Sequence, residues 1–262
     1  MKKIKLSGGL RKNKLKTKNI KPFFSIIMVV LNNEKFIQKS IDSVINQSFK
    51  SYELIIIDGG STDNTVKILK KNNSKINLWI SEKDKSLYDA MNKGIKLAKG
   101  SIISILNSDD IFYSNALKIA AKYFQSNKNI DFLFGSVIKH KLLYGYKPWK
   151  IHWSFGFYST HSIGFFIKRN SHLKVGFYNI KYKYSADYDF FYRLILKHKM
   201  IGMATNKNEI FGKFRSGGIS SYLPFKDYLN ETCKIRIDNG QNRFAVKLIY
   251  IMKNLMHLIR SF

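Results

Sequence analysis

Two carboxylates stand side by side in Asn107-Ser108-Asp109-Asp110, directly after the apolar run Ile102-Ile103-Ser104-Ile105-Leu106. Adjacent acids at the end of a buried strand repel each other unless something compensates them. A hard divalent cation such as Mg²⁺ or Mn²⁺ would do so, and would bridge phosphate oxygens as well. A cap for the following helix would use the same residue types. A second loop, Asp58-Gly59-Gly60-Ser61-Thr62-Asp63, follows the run Leu54-Ile55-Ile56-Ile57. Its glycines permit backbone to approach a ligand closely. Asp58 is suited to accept hydrogen bonds from a base or ribose; a turn leading into a helix cap is the competing reading. A third group, Asp187-Tyr188-Asp189, opens a segment carrying Phe190 and Phe191. A carboxylate there suits a general base. It also suits a helix N-terminus, with Arg193 pairing to Asp189 one turn on.

The elements that must position these acids alternate. Apolar, β-branched runs at 23–31, 52–57, 77–81, 102–106 and 132–137 read as buried strands. Between them, helical periodicity runs from Glu34 to Gln47, from a Ser61 or Thr62 cap to Lys71, from Ser86 to Ala98 with Gly100 as C-cap, and from Asn115 to Phe124. Such alternation predicts a parallel sheet with helices on both faces. Ligands in such sheets bind beyond the carboxyl ends of the strands. Loops 31–33, 58–63, 81–85 and 107–110 therefore converge on one rim. After Val137 the pattern weakens into an aromatic stretch. A helix over Ala186–Lys199, a short hairpin or strand pair over Met200–Phe214, and helices over Phe225–Asp238 and Phe244–Phe262 follow.

Composition narrows the classes. The 262 residues carry 46 basic and 17 acidic side chains, a net +29. Nucleic acid, an anionic membrane or phosphorylated substrates would balance that charge, and a Lys-, Asn- and Ile-rich composition bias would produce it without any partner. The single cysteine, Cys233, excludes a disulfide framework or a cysteine zinc site, and a reducing cytoplasmic compartment fits it. No H-E-x-x-H, G-x-x-x-x-G-K-[ST], G-x-S-x-G or G-x-G-x-x-G pattern occurs. His161 and His172, among aromatics, read as structural. Residues 1–21 read as a mobile basic arm without a secretory signal, and no apolar run is long enough to span a membrane.

Five stretches together, SIIMVVLNNEKFIQKSIDSVINQSF, YELIIIDGGSTDNT, SEKDKSLYDAMNKGIKLAKG, ILNSDD and SADYDFFYRL, stand in the order found in family 2 glycosyltransferases and resemble that family over roughly residues 23–218. The resemblance implies an α/β GT-A fold: a Rossmann-like, mostly parallel central sheet with helices on both faces, plus a C-terminal helical extension. It implies a nucleotide-sugar-binding half (22–137), an acceptor half (138–220) and a basic amphipathic helical segment (221–262). It implies metal-dependent, inverting transfer of a sugar from a nucleotide-sugar donor, by family habit UDP-linked, to a glycan or lipid-linked glycan. Val30, Leu31, Asn32, Asn33 and Glu34 would form the base pocket, and Asp58 would bind the base. Asp84 would serve the donor near ribose and sugar, with Asn92 and Lys93 close by. Asp109 and Asp110 match the metal-binding pair, Asp110 as direct ligand, with Asn107 where many relatives carry a further Asp. Asp187 matches the catalytic base, although Ala186 replaces the Glu that usually precedes it and Asp189 is a rival. Residues 214–220 resemble a late donor-site loop.

Several readings stay open at this level. Trp149, Trp153, Phe155, Phe157 and Tyr158 would shape the acceptor side, or else form core. The segment Phe244–Phe262, with Lys247, Lys253 and Arg260 among its apolar residues, would lie on an anionic membrane at the inner face of the plasma membrane, or pack on the core or on a partner subunit. A basic nucleic-acid-binding protein, a non-catalytic sugar-nucleotide-binding module and a nucleotidyltransferase are the rival functions. The acid-lined rim speaks against nucleic acid.

Overall fold

The structure, a computed structural model, describes residues 6–12, 21–153, 156–215 and 224–261. In chain order the strands are β1 (Leu6–Gly8), β2 (Phe24–Val30), β3 (Tyr52–Asp58), β4 (Leu78–Ser81), β5 (Ile102–Asn107), β6 (Ile111–Phe112), β7 (Phe132–Phe134), β8 (Ser136–Ile138), β9 (Leu142–Leu143), β10 (Phe165–Lys168), β11 (Gly202–Ala204) and β12 (Ile210–Lys213). The α-helices are α1 (Ile37–Ile45), α2 (Thr65–Lys71), α3 (Leu87–Leu97), α4 (Ala116–Ser126), α5 (Arg169–Val175), α6 (Ala186–Tyr192), α7 (Phe225–Asp238) and α8 (Arg243–Ser261).

The longest apolar runs take the middle of an eight-stranded sheet ordered β1-β4-β3-β2-β5-β10-β7-β11. Its inner block β4-β3-β2-β5 is wholly parallel, so all four carboxyl ends reach the same rim. Both faces are covered, and alternate residues of β2 divide between them. Ile27 and Val29 pack with Tyr88, Met91 and Ile95 of α3 and the aromatics of α6. Ile26 and Met28 pack with Ile41, Val44, Leu69 and Leu117 of α1, α2 and α4. Helix α3 lies so close to the sheet that a Cβ on Gly94 would come within 2.3 Å of the Ile27 side chain. Its start is set by Ser86, whose hydroxyl accepts the Asp89 N–H at 3.2 Å, while Asp89 accepts the Lys85 N–H at 3.0 Å.

Several expectations are corrected. The predicted arm is structured in part, because β1 pairs antiparallel with β4 and Arg11 reaches both the buried Glu53 carboxylate and the Leu97 carbonyl. Residues 1–5 and 13–20 lie outside the described residues. Helix α2 begins at Thr65 because the Ser61 hydroxyl bonds back to Asp58 rather than capping. Gly100 is no C-cap, since Ala98 ends α3; Gly100 is required because its Cβ would strike the Ser25 backbone. The single strand predicted at 132–137 divides at Gly135, where a Cβ would meet the Phe211 ring at 2.2 Å, and β8 leaves for a second sheet, β6-β12-β8-β9. The two strands expected over 200–214 form but do not pair with each other: β11 pairs with β7 in the large sheet and β12 with β8 and β6 in the small one. The helix from Ala186 passes into a π-helical turn at Arg193–Lys197.

The boundary expected at 220/221 does not separate α7 from the rest. Ile235 joins the main core, Arg236 is fully buried and donates to the His152 carbonyl, and Asp238 accepts from Tyr182 at 2.6 Å. Helix α8 packs on α7 more lightly, through Val246, with the His257 ring stacked on Phe225. Among the described residues no helix is long and apolar enough to cross a membrane.

Candidate active site

The rim loops are tied to one another by their own polar side chains. The Asn32 carboxamide accepts the Thr62 N–H at 2.8 Å, and its backbone N–H donates to the Ser61 hydroxyl at 2.8 Å. Asn32 holds a positive φ of 48°, a conformation Asn tolerates better than most residues. Glu34 accepts the Asn64 backbone N–H, and Asn33 donates to the Ser108 hydroxyl at 2.7 Å. Asn32 and Glu34 are thus fasteners between loops. Val30 is buried, whereas Leu31 is 61% exposed, so the apolar surface offered at the end of β2 is Leu31 and not Val30.

Asp58 sits beneath this surface. It is 0% exposed and accepts from the Gly60 N–H (3.2 Å), the Ser61 N–H (3.0 Å), the Ser61 hydroxyl and the Ser81 hydroxyl (2.5 Å). These bonds shape the Gly59-Gly60 turn, and three of the four fall on Oδ2. Gly60 needs its freedom there, at φ +88°. An acceptor with an unpaired oxygen is Asp84. A Cβ on Gly59 would lie 3.4 Å from Asp84 Oδ2 and 3.5 Å from Leu31 Cδ1, which locates both at the mouth of the turn. Asp84 Oδ1 is held by Lys93, while Oδ2 is buried without a hydrogen-bond partner among the described residues. Burial raises the Asp84 pKa and Lys93 opposes the rise. Lys93 also meets Glu82 at 3.0 Å, so its role is to hold these acids in place. Asn92 does not face the rim: it exchanges two backbone hydrogen bonds with Tyr178.

The pair after β5 divides its work. Asp110 is 1% exposed; its Oδ2 accepts from Ser162 at 2.6 Å and its Oδ1 from the Arg215 N–H at 3.0 Å. Burial pushes its pKa up to about 7. Asp109 is the more open, with Arg215 Nη1 3.6 Å from its carboxylate. The Arg215 guanidinium lies over the Phe36 ring at 3.6 Å. Asp110, expected as the direct metal ligand, is thus the more enclosed of the pair, with one donor on each oxygen, and Asp109 the more exposed. The remainder of the late loop, Ser216–Ser220, lies outside the described residues, as does Phe155.

Asp187 and Asp189, two residues apart, have opposite surroundings. Asp189 is buried and satisfied, with Arg193 Nε at 3.0 Å and Asn239 Nδ2 at 3.0 Å. Asp187 is ringed by hydroxyls: Tyr88 donates to Oδ1 at 3.1 Å and Tyr158 also interacts with it. Burial pushes the Asp187 pKa up to about 6, with the Tyr88 hydrogen bond opposing. A carboxylate poised there is ionised at neutral pH yet basic enough to take a proton. Tyr88 lies in the first turn of α3, just after the loop bearing Asp84, so α3 links the two acids.

The family described as Glycosyl transferase family 2 matches residues 25–188, from the first residues of β2 to the Asp187 corner. The chain belongs to that family. A PGL/p-HBAD biosynthesis glycosyltransferase of Mycobacterium bovis is 27% identical over 226 residues, covering 79% of this chain and 83% of that one. The UDP-Glc:alpha-D-GlcNAc-diphosphoundecaprenol beta-1,3-glucosyltransferase WfgD of Escherichia coli is 39% identical over 113 residues, covering 43% of this chain and 44% of its own. Among solved structures, S. aureus TarS 1-349 in complex with UDP-GlcNAc superposes with a TM-score of 0.62 at 17% identity, over 87% of this chain and 70% of that one. The family match makes the chain a glycosyltransferase, and the likeness to solved structures shows a GT-A fold.

In this family 2 enzyme, the fit of a divalent cation depends on the donors the rim presents. Among the described residues no three His, Cys, Asp or Glu side chains cluster as a metal cage. Asp109 offers the more exposed carboxylate of the pair after β5, with Arg215 beside it, which suits Mg²⁺ or Mn²⁺ completed by water and by a donor's phosphates. Sequence reasoning missed Ser81 and Ser162, which turn Asp58 and Asp110 inward, and Tyr88. No local signal marks them, because each acts across the fold. Trp149 and Trp153 are exposed and remain available to a sugar, while Phe157 is core. His161 and His172 are buried, with depressed pKa values of about 4 and 3 from desolvation, in keeping with structural roles. A 520 Å³ surface cleft beside Phe49, Lys118 and Lys122 contains none of the predicted site residues.

Proposed function

We propose that this glycosyltransferase moves a sugar, with inversion, from a UDP-sugar to a hydroxyl of a glycan or lipid-diphosphate-linked glycan, and that Asp187 is its base. The observation that carries this reading is Asp187 itself: a carboxylate in a ring of tyrosines, its pKa raised to about 6, beside the helix that follows the Asp84 loop. Leu31 offers an apolar surface for the nucleotide base, and Asp84 Oδ2 a free acceptor for a ribose or base donor. As the acceptor oxygen bonds to the anomeric carbon, its proton passes to Asp187 and the carbon–phosphate-oxygen bond breaks, releasing the nucleoside diphosphate. Asp109 would hold the divalent cation, which when bound supplies positive charge to the diphosphate. Arg215 stands next to Asp109 and adds a fixed positive charge for the same oxygens. UDP is favoured by the donors named for WfgD and TarS. Incubation with UDP-, GDP- and dTDP-sugars and Mn²⁺, read by melting temperature and by sugar nucleotide hydrolysis, tests it; a response to GDP-sugars alone would replace UDP.

The acceptor's lipid anchor is supported by α8. Its inward face carries Val246, Ile249 and the partly buried Lys253. Its outward face, at helical spacing, carries Phe244 (71% exposed), Leu248, Ile251, Leu255, Leu258 and Ile259 (74%). Residues 239–262 contain four Lys or Arg and no Asp or Glu. A second copy of this face would set like charges together, whereas an anionic lipid surface complements them. Flotation should recover the protein with phosphatidylglycerol vesicles and not with phosphatidylcholine alone. Leu255→Glu should abolish recovery, and a dimer in solution that dissociates on the same substitution would overturn the lipid reading.

A further inference from the structure

Helix α6, which carries Asp187, begins without a side-chain cap of its own: Ser185 occupies the N-cap position but caps nothing with its hydroxyl. The residue before Asp187 is Ala186, where the family resemblance implies an acid. The backbone N–H groups of Lys183, Tyr184 and Ser185 nevertheless have a common acceptor, Glu231 on α7. Its Oε2 accepts from Lys183 at 2.7 Å, and its Oε1 accepts from Tyr184 and Ser185, each at 2.7 Å. Three N–H groups meeting one carboxylate form a charge-assisted clamp, stronger than neutral hydrogen bonds. On the opposite side, the Tyr88 hydroxyl meets the Tyr184 carbonyl and Asp187 Oδ1, each at 3.1 Å. The turn leading into Asp187 is therefore gripped between α3 and α7.

We infer that Glu231 is the positioning residue of the base: it fixes the 183–185 backbone that aims Asp187 and supplies, from another helix, the negative charge missing at position 186. The inference rests on Asp187 being the base. The electrostatics agree in sign, since the Glu231 charge adds to burial in raising the Asp187 pKa. The other groups facing Asp187 are neutral phenols: Tyr88 from α3, Tyr158 and Tyr178 from the segments flanking β10 and α5, and Tyr228 from α7. The cation nearby, Arg236 of α7, lies over the Tyr188 ring at 5.0 Å. Glu231 is thus the carboxylate whose charge bears on Asp187 from α7.

Glu231→Gln keeps the shape and removes the charge. A misplacement of the base of under an ångström should lower kcat by roughly tenfold, with the donor KM unchanged. The acid limb of the kcat/KM profile should move to lower pH. Glu231→Asp keeps the charge on a shorter arm, so it should return the acid limb to its wild-type position while kcat stays reduced. Melting temperatures are measured alongside. Wild-type kcat and an unmoved acid limb in both variants, with or without a lower melting temperature, would overturn the inference and leave Asp187 as base untouched. Asp187→Asn, assayed in parallel, separates the two ideas: wild-type turnover in that variant would remove the base assignment and Glu231's role with it.

Discussion

The donor rim and the Asp187 corner are built on different principles. The rim is assembled from loops that each leave the carboxyl end of a parallel strand, and its deepest acids, Asp58 and Asp110, are saturated by hydroxyl and backbone donors. Those acids shape the loops, and the proposed function gives ligand contact to Asp84 and Asp109. The corner has no strand end to organise it. It is held by contacts reaching from α3 and from α7, the latter 46 to 48 residues further along the chain. In both regions two carboxylates stand close together in different surroundings, Asp110 beside Asp109 and Asp189, paired with Arg193, beside Asp187 among tyrosines.

That comparison is most sharply tested at the corner. Asp187→Asn should lower kcat/KM by on the order of 10²- to 10⁴-fold. Asp189→Asn should leave turnover of the folded enzyme near wild type and lower the melting temperature, because Arg193 and Asn239 lose their anchor. Loss of activity in the Asp189 variant alone would reverse the two roles. The pH profile carries the same signature. The base must be ionised, and its pKa is raised to about 6, so kcat/KM should fall tenfold per pH unit below about 6 and level off above.

At the rim the expected effects are smaller. Asp109→Asn should cost about 100-fold in kcat and weaken the Mn²⁺-dependent thermal shift seen with UDP. Asp110→Asn should leave the Mn²⁺ midpoint in place and destabilise the protein by about 1–3 kcal/mol, since Ser162 and the Arg215 N–H lose a charged acceptor. Equal Mn²⁺ dependence in the Asp109 variant would break the distinction. Smallest of all, Asp84→Asn should raise the donor KM about tenfold, equivalent to one hydrogen bond to a charged group, with kcat little changed.

The contrast also explains what could be read from the linear chain. Each rim acid follows an apolar run, so the strand periodicity located Asp58, Asp84, Asp109 and Asp110 on one edge before any coordinates. Which of them point outward was not legible, because Ser81 and Ser162 decide it from 23 and 52 residues away. Gly135 and Phe211 likewise split one apparent strand between two sheets through a tertiary contact. Asp187 was legible as an acid on a helix, but the tyrosines around it and Glu231 above it were ordinary surface and core residues in sequence. The outward stripe of α8 was visible as amphipathic spacing; only packing on α7 revealed that its more apolar side is the one turned to solvent.

The short strand β1 has a practical implication for anyone trimming this chain. Arg11 meets Glu53, a carboxylate 3% exposed that also accepts the Ser25 hydroxyl and the Lys99 N–H. Starting expression at residue 21, just ahead of the family match, would abandon that carboxylate in the interior and uncover the β4 edge at once. The shortened protein should lose roughly 3–5 kcal/mol from the stranded charge alone. It should also self-associate through the freed edge, a failure easily mistaken for a defect in the catalytic half.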